Sequence, residues 1–386
     1  MYSGVTAILT VGGLVGSLMS DRVVRSEGLA GGIAWTAWIN LASALLMAAA
    51  PHWIVFALGR FVAGVACGLA LAPRVGQIGT LHQLAVVLGI CSSQVLGRIL
   101  TGPNGDKLGG WRWVCAMSGM ASIIQIAMTA QPEDFERSRP ATSDPEDPEE
   151  ADRPHAIPRD ETAPLIQNSG GGPGTEQLSA RDLLSNATLR RPAVLVITLM
   201  SLQQLSGVNA VLFYSTPVLQ SIYPNAGAGA VSVFITVVNV LMTFPAIVLV
   251  DRVGRRPLLL TSSVSMLLMS LLLAYGLDDH LQKLSGFAIV AFIAAFAPGL
   301  GPVPWLLVSE MVPHHAVPAL SSLALSASWI TTGFVGLVFI PLRDALSYPV
   351  DPSDPMSARE GEGRVFYVFT VSLAITTLVI MRGVAK

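Results

Sequence analysis

Residues 203–216 read Gln-Gln-Leu-Ser-Gly-Val-Asn-Ala-Val-Leu-Phe-Tyr-Ser-Thr and set a cluster of amides and hydroxyls inside an otherwise apolar run. An amide offers both a donor and an acceptor and carries no charge to desolvate, which suits it to the adjacent hydroxyls of a neutral polyol. In hydrocarbon such groups are costly unless they meet partners or a water-filled path, so the run implies a polar route through a bilayer. Covalent chemistry has no comparable foothold. His82, His314 and His315 stand at the ends of apolar runs with no nucleophile or metal-ligand spacing around them, so no enzyme, cofactor or metal site is expected. Cys67, Cys91 and Cys115 lie singly in apolar segments and read as packing residues.

The elements that hold the amides follow from composition. Of 386 residues, 52% are hydrophobic and only 12% charged, and mean hydropathy is +0.60, which indicates a polytopic membrane protein. A net charge of -2 leaves no basic footprint for nucleic acid. Apolar windows of about 20 residues, each long enough to cross a bilayer as a helix, fall near 4–20, 32–50, 53–72, 77–101, 111–130, 192–222, 229–250, 257–277, 285–310, 318–341 and 364–382. The fold class is therefore all-α, with about eleven spans. Residues 131–190 are rich in Pro, Asp, Glu, Ser and Gly and predict a disordered aqueous loop between an N-terminal bundle (1–130) and a C-terminal bundle (191–386).

Arg22, Arg25, Arg74, Arg181, Arg190, Arg191, Arg252, Arg255, Arg256, Arg382 and Lys386 gather on one side of these spans, which is then the cytosolic side. On that side Asp21-Arg22-Val-Val-Arg25 is echoed by Asp251-Arg252-Val-Gly-Arg255-Arg256, an internal repeat of the kind secondary transporters carry. Such loops can latch helices through ion pairs to carboxylates, with latches that break and reform as access alternates. Gly299, Gly301, Pro302 and Pro304 remove or loosen backbone hydrogen bonds and predict a hinge in the span over 285–310. Gly64 and Gly68 have the small-xxx-small spacing that lets helices approach closely.

Four motifs in order resemble the sugar porter family of the major facilitator superfamily, whose members include hexose and glucose transporters and fungal vacuolar-type proteins. They are Gly79-Thr-Leu-His-Gln83-Leu84, the Gln203-Gln204…Asn209 signature, Asp251 to Arg256, and Gly301-Pro302-Val-Pro304-Trp305 with Glu310. The resemblance implies two six-helix bundles around a central sugar site, with the spans here corresponding to helices two to twelve. It assigns sugar contacts to Gln83, Gln203, Gln204, Asn209, Asn239 and Trp305, with Trp329 as a further candidate for the cavity wall. It assigns latch roles to Asp21, Arg22, Asp251, Arg252, Arg255, Arg256 and Glu310, and the hinge to Gly301, Pro302 and Pro304. It implies transport of a hexose or related sugar by alternating access, facilitative or proton-coupled.

This chain also departs from the family's pattern. Met1 falls where the second helix begins, residues 72–78 replace a longer connection, and Val317, Ala297 and Thr332 stand at polar or cationic positions. These departures predict a truncated or diverged member that transports weakly or not at all; a sugar sensor is the alternative of another class. In the central loop, Glu161-Thr-Ala-Pro-Leu165-Ile166 has the spacing of a dileucine sorting signal read by clathrin adaptors, which implies a vacuolar or lysosomal membrane rather than the cell surface. Asn186-Ala-Thr188 is a glycosylation sequon that the expected topology leaves in the cytosol.

Overall fold

No proline occurs before Pro51, and the backbone is helical without interruption from Tyr2 to Ala48 (α1). A straight helix of that length would reach about 70 Å, yet α1 does not run straight. A Cβ added at Gly12 would collide with the Phe61 carbonyl, while Ser43 Oγ donates to the Gly59 carbonyl at 3.0 Å. Both ends of α1 therefore touch the same turn of α2 (Trp53–Leu71), and the chain doubles back between them. The two spans expected over 4–20 and 32–50 are present, but a helical connection replaces the loop expected around Asp21 and Arg22. No proline breaks the stretch, and Arg22, Glu27, Leu29 and Ala30 favour helix there beside Gly28, Gly31 and Gly32, which do not.

The computed structural model describes residues 2–71, 79–102, 109–129, 178–212, 228–349 and 359–384. After α2 come α3 (Gly79–Thr101), α4 (Gly110–Thr129), α5 (Ala180–Ser185), α6 (Ala187–Leu205), α7 (Ala228–Val253), α8 (Arg255–Asp278), α9 (Gln282–Phe296), α10 (Val303–Glu310), α11 (Val317–Leu346) and α12 (Arg364–Gly383). A two-residue strand pair, Tyr348–Pro349 with Arg359–Glu360, joins the last two helices. Eight helices among the described residues are long and apolar enough to cross a membrane. On α7 the exposed large side chains Phe234, Val237, Leu241, Phe244 and Val248 recur every three or four residues, one stripe turned to lipid.

Small residues decide where helices meet. Gly64 and Gly68 of α2 lie directly on the α1 backbone at Leu9, Gly12, Gly13 and Gly16, where any Cβ would collide. The first half of α1 then lies on α11: Ser17 and Ser326 share a hydrogen bond of 2.8 Å, Ser322 Oγ donates to the Ser17 carbonyl at 2.7 Å, and the Trp329 ring fills the space above Gly13. A second seam joins α3 to α7. Helices before residue 130 thus meet helices after 178 chiefly along two lines, α1 with α11 and α3 with α7, with smaller contacts of α3 with α10 and α2 with α11.

Three expected boundaries change. Of the loop predicted over 131–190, residues 130–177 lie outside the described residues, and with them the sorting signal Glu161, Leu165 and Ile166. Residues 178–190 are ordered instead: Leu183 on α5 is fully buried, and the Leu178 amide donates to the His315 carbonyl at 3.2 Å. Asn186 caps α6 by accepting from the Thr188 amide at 3.1 Å, a use of the sequon residue that the sugar-acceptor reading overlooks. The spans expected over 192–222 and 285–310 are both broken, the first after Leu205 and the second between Phe296 and Val303.

Candidate functional site

The break in α6 falls inside the amide signature. Gly207 has φ of +84°, a conformation that favours glycine, and helix resumes at Val208. The turn is held by Ser206 Oγ, which donates to the Gln203 carbonyl at 2.6 Å, and by the Val211 amide on the Gly207 carbonyl at 2.8 Å. Breaking the helix here separates Gln203 and Gln204, on the last turn of α6, from Asn209 beyond it. Asn209 then reaches back, and its Nδ2 donates to Gln204 Oε1 at 3.2 Å. Gln204 Nε2 passes the chain on to Ser328 Oγ of α11 at 3.1 Å.

The second break owes its unpaired carbonyls to proline. In a continuous helix the Leu300 carbonyl would accept from residue 304, but Pro304 has no N–H. Gln203 supplies the missing donor: its Nε2 lies 2.7 Å from the Leu300 carbonyl and 2.9 Å from that of Gly301. Two carbonyl acceptors fix which way round the amide sits. Gln203 is 2% exposed, and its Oε1 is buried with no hydrogen-bond partner among the described residues. On the other side of the break, Ser262 of α8 donates to the Ala295 carbonyl at 2.7 Å and accepts from the Leu300 amide at 2.9 Å.

Other candidate residues lie on other helices. Asn239 Oδ1 on α7 and Trp329 Nε1 on α11 are buried with no hydrogen-bond partner among the described residues. Gln83 is half-buried near the start of α3, and Trp305 is half-buried on α10. Hydrogen bonds link Gln203, Gln204 and Asn209 to the α9–α10 turn and to α11; among the described residues none joins Gln83 or Asn239 to that network. Open acceptors at Gln203 and Asn239 and an open donor at Trp329 are the complement a polyol needs, without charge. A separate cleft of about 550 Å³, lined by Ala48, Leu100, Gly109, Gly110, Arg112, Trp113 and Ala116, lies at the far ends of α1 and α3, away from the amides.

Of the residues expected to form a latch, Arg255, Glu310 and Asp251 lie together. Gly254, with φ of +90°, ends α7 and lets α8 start at Arg255. Arg255 forks onto Glu310, with Nη2 to Oε1 at 2.8 Å and Nε to Oε2 at 3.2 Å, and Asp251 lies 3.6 Å from its Nη1. Arg256 instead donates to the Met381 carbonyl at 2.8 Å, at the C-terminal end of α12. Arg22 and Arg252 are exposed. Both Arg255 and Glu310 side chains are 36% exposed, so the fork adds about 1 kcal/mol at most to stability and acts as geometry more than energy.

Sequence reasoning had no signal for Ser262 or Ser328, since a serine in an apolar helix reads the same whether it bonds its own helix or another. Pro298 could have been added to Pro302 and Pro304 as a third breaker in the same turn.

Comparison with known proteins places this geometry. The profile of the family described as "Sugar (and other) transporter" matches residues 1–386. A probable metabolite transport protein of Saccharomyces cerevisiae is 28% identical over 370 residues, covering 88% of this chain and 73% of the relative. Facilitated glucose transporter protein 1 of Caenorhabditis elegans is 28% identical over 380 residues, covering 89% and 72%. Among solved structures, a proton:xylose symporter of the major facilitator superfamily bound to 6-bromo-6-deoxy-D-glucose superposes with a TM-score of 0.74 at 18% identity, over 99% of this chain and 86% of that one. The fold is that of the major facilitator superfamily, and the chain belongs to the sugar (and other) transporter family.

Proposed function

We propose that this chain moves a hexose or a related neutral sugar across a membrane by alternating access. The observation that carries the reading is a set of buried, uncharged polar atoms with no hydrogen-bond partner among the described residues: Gln203 Oε1 beside the α9–α10 break, Asn239 Oδ1 on α7 and Trp329 Nε1 on α11. Buried acceptors and donors of this kind are costly unless a ligand or water meets them. The two seams, α1 with α11 and α3 with α7, give the halves surfaces along which to rock. Glucose and xylose transporters among the similar proteins support a sugar as the substrate.

The test is uptake of labelled hexose by liposomes holding only this chain. Saturable uptake that unlabelled hexoses compete away is expected of a porter. Binding with no flux would favour a sugar sensor, and neither binding nor flux would sink the reading.

The destination we propose is a vacuolar or lysosomal membrane, with a clathrin adaptor reading Glu161, Leu165 and Ile166. Replacing Leu165 and Ile166 with Ala is expected to move a fluorescent fusion of the full chain to the cell surface. An unchanged distribution would show the match to be accidental.

A further inference from the structure

We propose that Ser262 is a positioning residue for transport: its hydroxyl fixes where α9 gives way to α10, and so where Trp305 and the open acceptor of Gln203 stand. This rests on the sugar-transport reading above and goes beyond the residues that reading names.

Proline and the turn between Phe296 and Val303 leave specific groups unpaired. The Phe296 carbonyl, which a regular helix would offer to the Leu300 amide, is taken by the Gly301 amide at 2.9 Å. The Leu300 amide is left over, and Ser262 Oγ accepts from it at 2.9 Å. The Ala295 carbonyl loses its helical donor as the chain turns, and the same Ser262 Oγ donates to it at 2.7 Å. One hydroxyl thus uses its single proton and a lone pair to replace one bond on each side of the turn. Ser262 is 4% exposed and Leu300 fully buried, so water is poorly placed to substitute.

The fit is enforced by shape as well. A Cβ at Gly299 would collide with the Ser262 Cβ and stand 2.5 Å from the Leu258 carbonyl, so the turn lies flush on α8 at this one place. Gln203 grips the same turn from α6, one residue further on, at the Leu300 and Gly301 carbonyls. Between them the two side chains pin Ala295 to Gly301 from opposite sides. Any swing of α10 relative to α9 must then occur beyond Gly301, at Pro302, with Trp305 one turn out on the moving arm.

The test compares Ser262→Ala with Ser263→Ala in the full chain in lipid nanodiscs. Ser263 is equally buried, but its hydroxyl donates to Leu260 of its own helix at 3.2 Å and accepts from Thr377 at 3.1 Å, so it does not touch the turn. Ser262→Ala is expected to speed hydrogen exchange at the Leu300 amide about tenfold or more and to raise the half-saturating hexose concentration by a similar factor, with the maximal rate less affected. Ser263→Ala is expected to do neither. Unchanged exchange at Leu300 in Ser262→Ala, or the same changes in Ser263→Ala, would overturn the assignment. Should the wild-type chain neither bind nor carry hexose, the transport reading fails while the exchange comparison still decides whether Ser262 holds the turn.

Discussion

Gly207→Ala is expected to cost about 3 kcal/mol or more and to leave little sugar-binding protein. Two independent effects add. The first is backbone strain: at φ of +84° a residue with a Cβ pays about 1–2 kcal/mol. The second is steric, because the new Cβ would stand 2.5 Å from Phe369 Cγ. Phe369 has little room to yield. It is 6% exposed and packed against Phe339 at 6.2 Å and Phe366 at 6.1 Å between ring centroids. Overpacking of this kind costs about 1–3 kcal/mol. Purified full chain should lose roughly 4–6 °C of its thermal midpoint. Adding Phe369→Ala should recover the steric part and leave the strain, so the two substitutions should couple in a double-mutant cycle. A Gly207→Ala chain as stable as wild type would mean that the break in α6 is not built as described.

That glycine also shows where sequence reading stops. Spans were legible because a bilayer demands about 20 apolar residues in a row, and helix covers most of the described part of each such run, with breaks at 206–207 and 297–302. What periodicity does not reveal is an interruption within a run. Ser206 and Gly207 sit in residues 203–216 as two small residues among apolar neighbours, and nothing local distinguishes a left-handed turn there from close helix packing. The helical join between the two halves of α1 was hidden for the opposite reason. Charged residues such as Asp21 and Arg22 read as a loop by composition, yet no proline interrupts the stretch and the backbone stays helical.

The candidate site divides in the same way. Residue types announced it, since amides in an apolar helix need partners, but the partners are remote in sequence. Gln203 and Leu300 are 97 positions apart, and Gln204 and Ser328 are 124. A sugar hydroxyl and a proline-orphaned carbonyl make equal demands on an amide. From sequence Gln203 reads first as a ligand contact, with a helix–helix hydrogen bond as the alternative; in the fold its nitrogen belongs to the backbone of the broken helix, and its oxygen has no partner among the described residues.

Gln203→Leu is therefore expected to lose about 100-fold or more in sugar affinity and to destabilise the fold, because two roles end together. Leucine fills much of the volume but leaves the carbonyls of Leu300 and Gly301 without the donor they share, at about 1–3 kcal/mol for each buried group left unpaired. Side-chain hydrogen bonds in membrane proteins often contribute less, near 0.6 kcal/mol by roughly averaged estimates, because the groups find other partners. Here the larger figure should win for Leu300, since Pro304 offers no N–H to re-pair it. That reasoning yields a rescue: Pro304→Ala restores a donor within α10, and the double variant should regain about 1 kcal/mol of stability over Gln203→Leu alone. Sugar affinity should not return, because the open acceptor is still missing. Gln203→Glu separates the two roles from the other direction. Assayed at a pH high enough to ionise it, the carboxylate keeps an acceptor for sugar but turns an oxygen toward both carbonyls, so there it should fold no better than leucine. Near-normal stability and affinity in Gln203→Glu, or no gain from Pro304→Ala, would show that Gln203 serves the ligand alone and that the break is held by other groups.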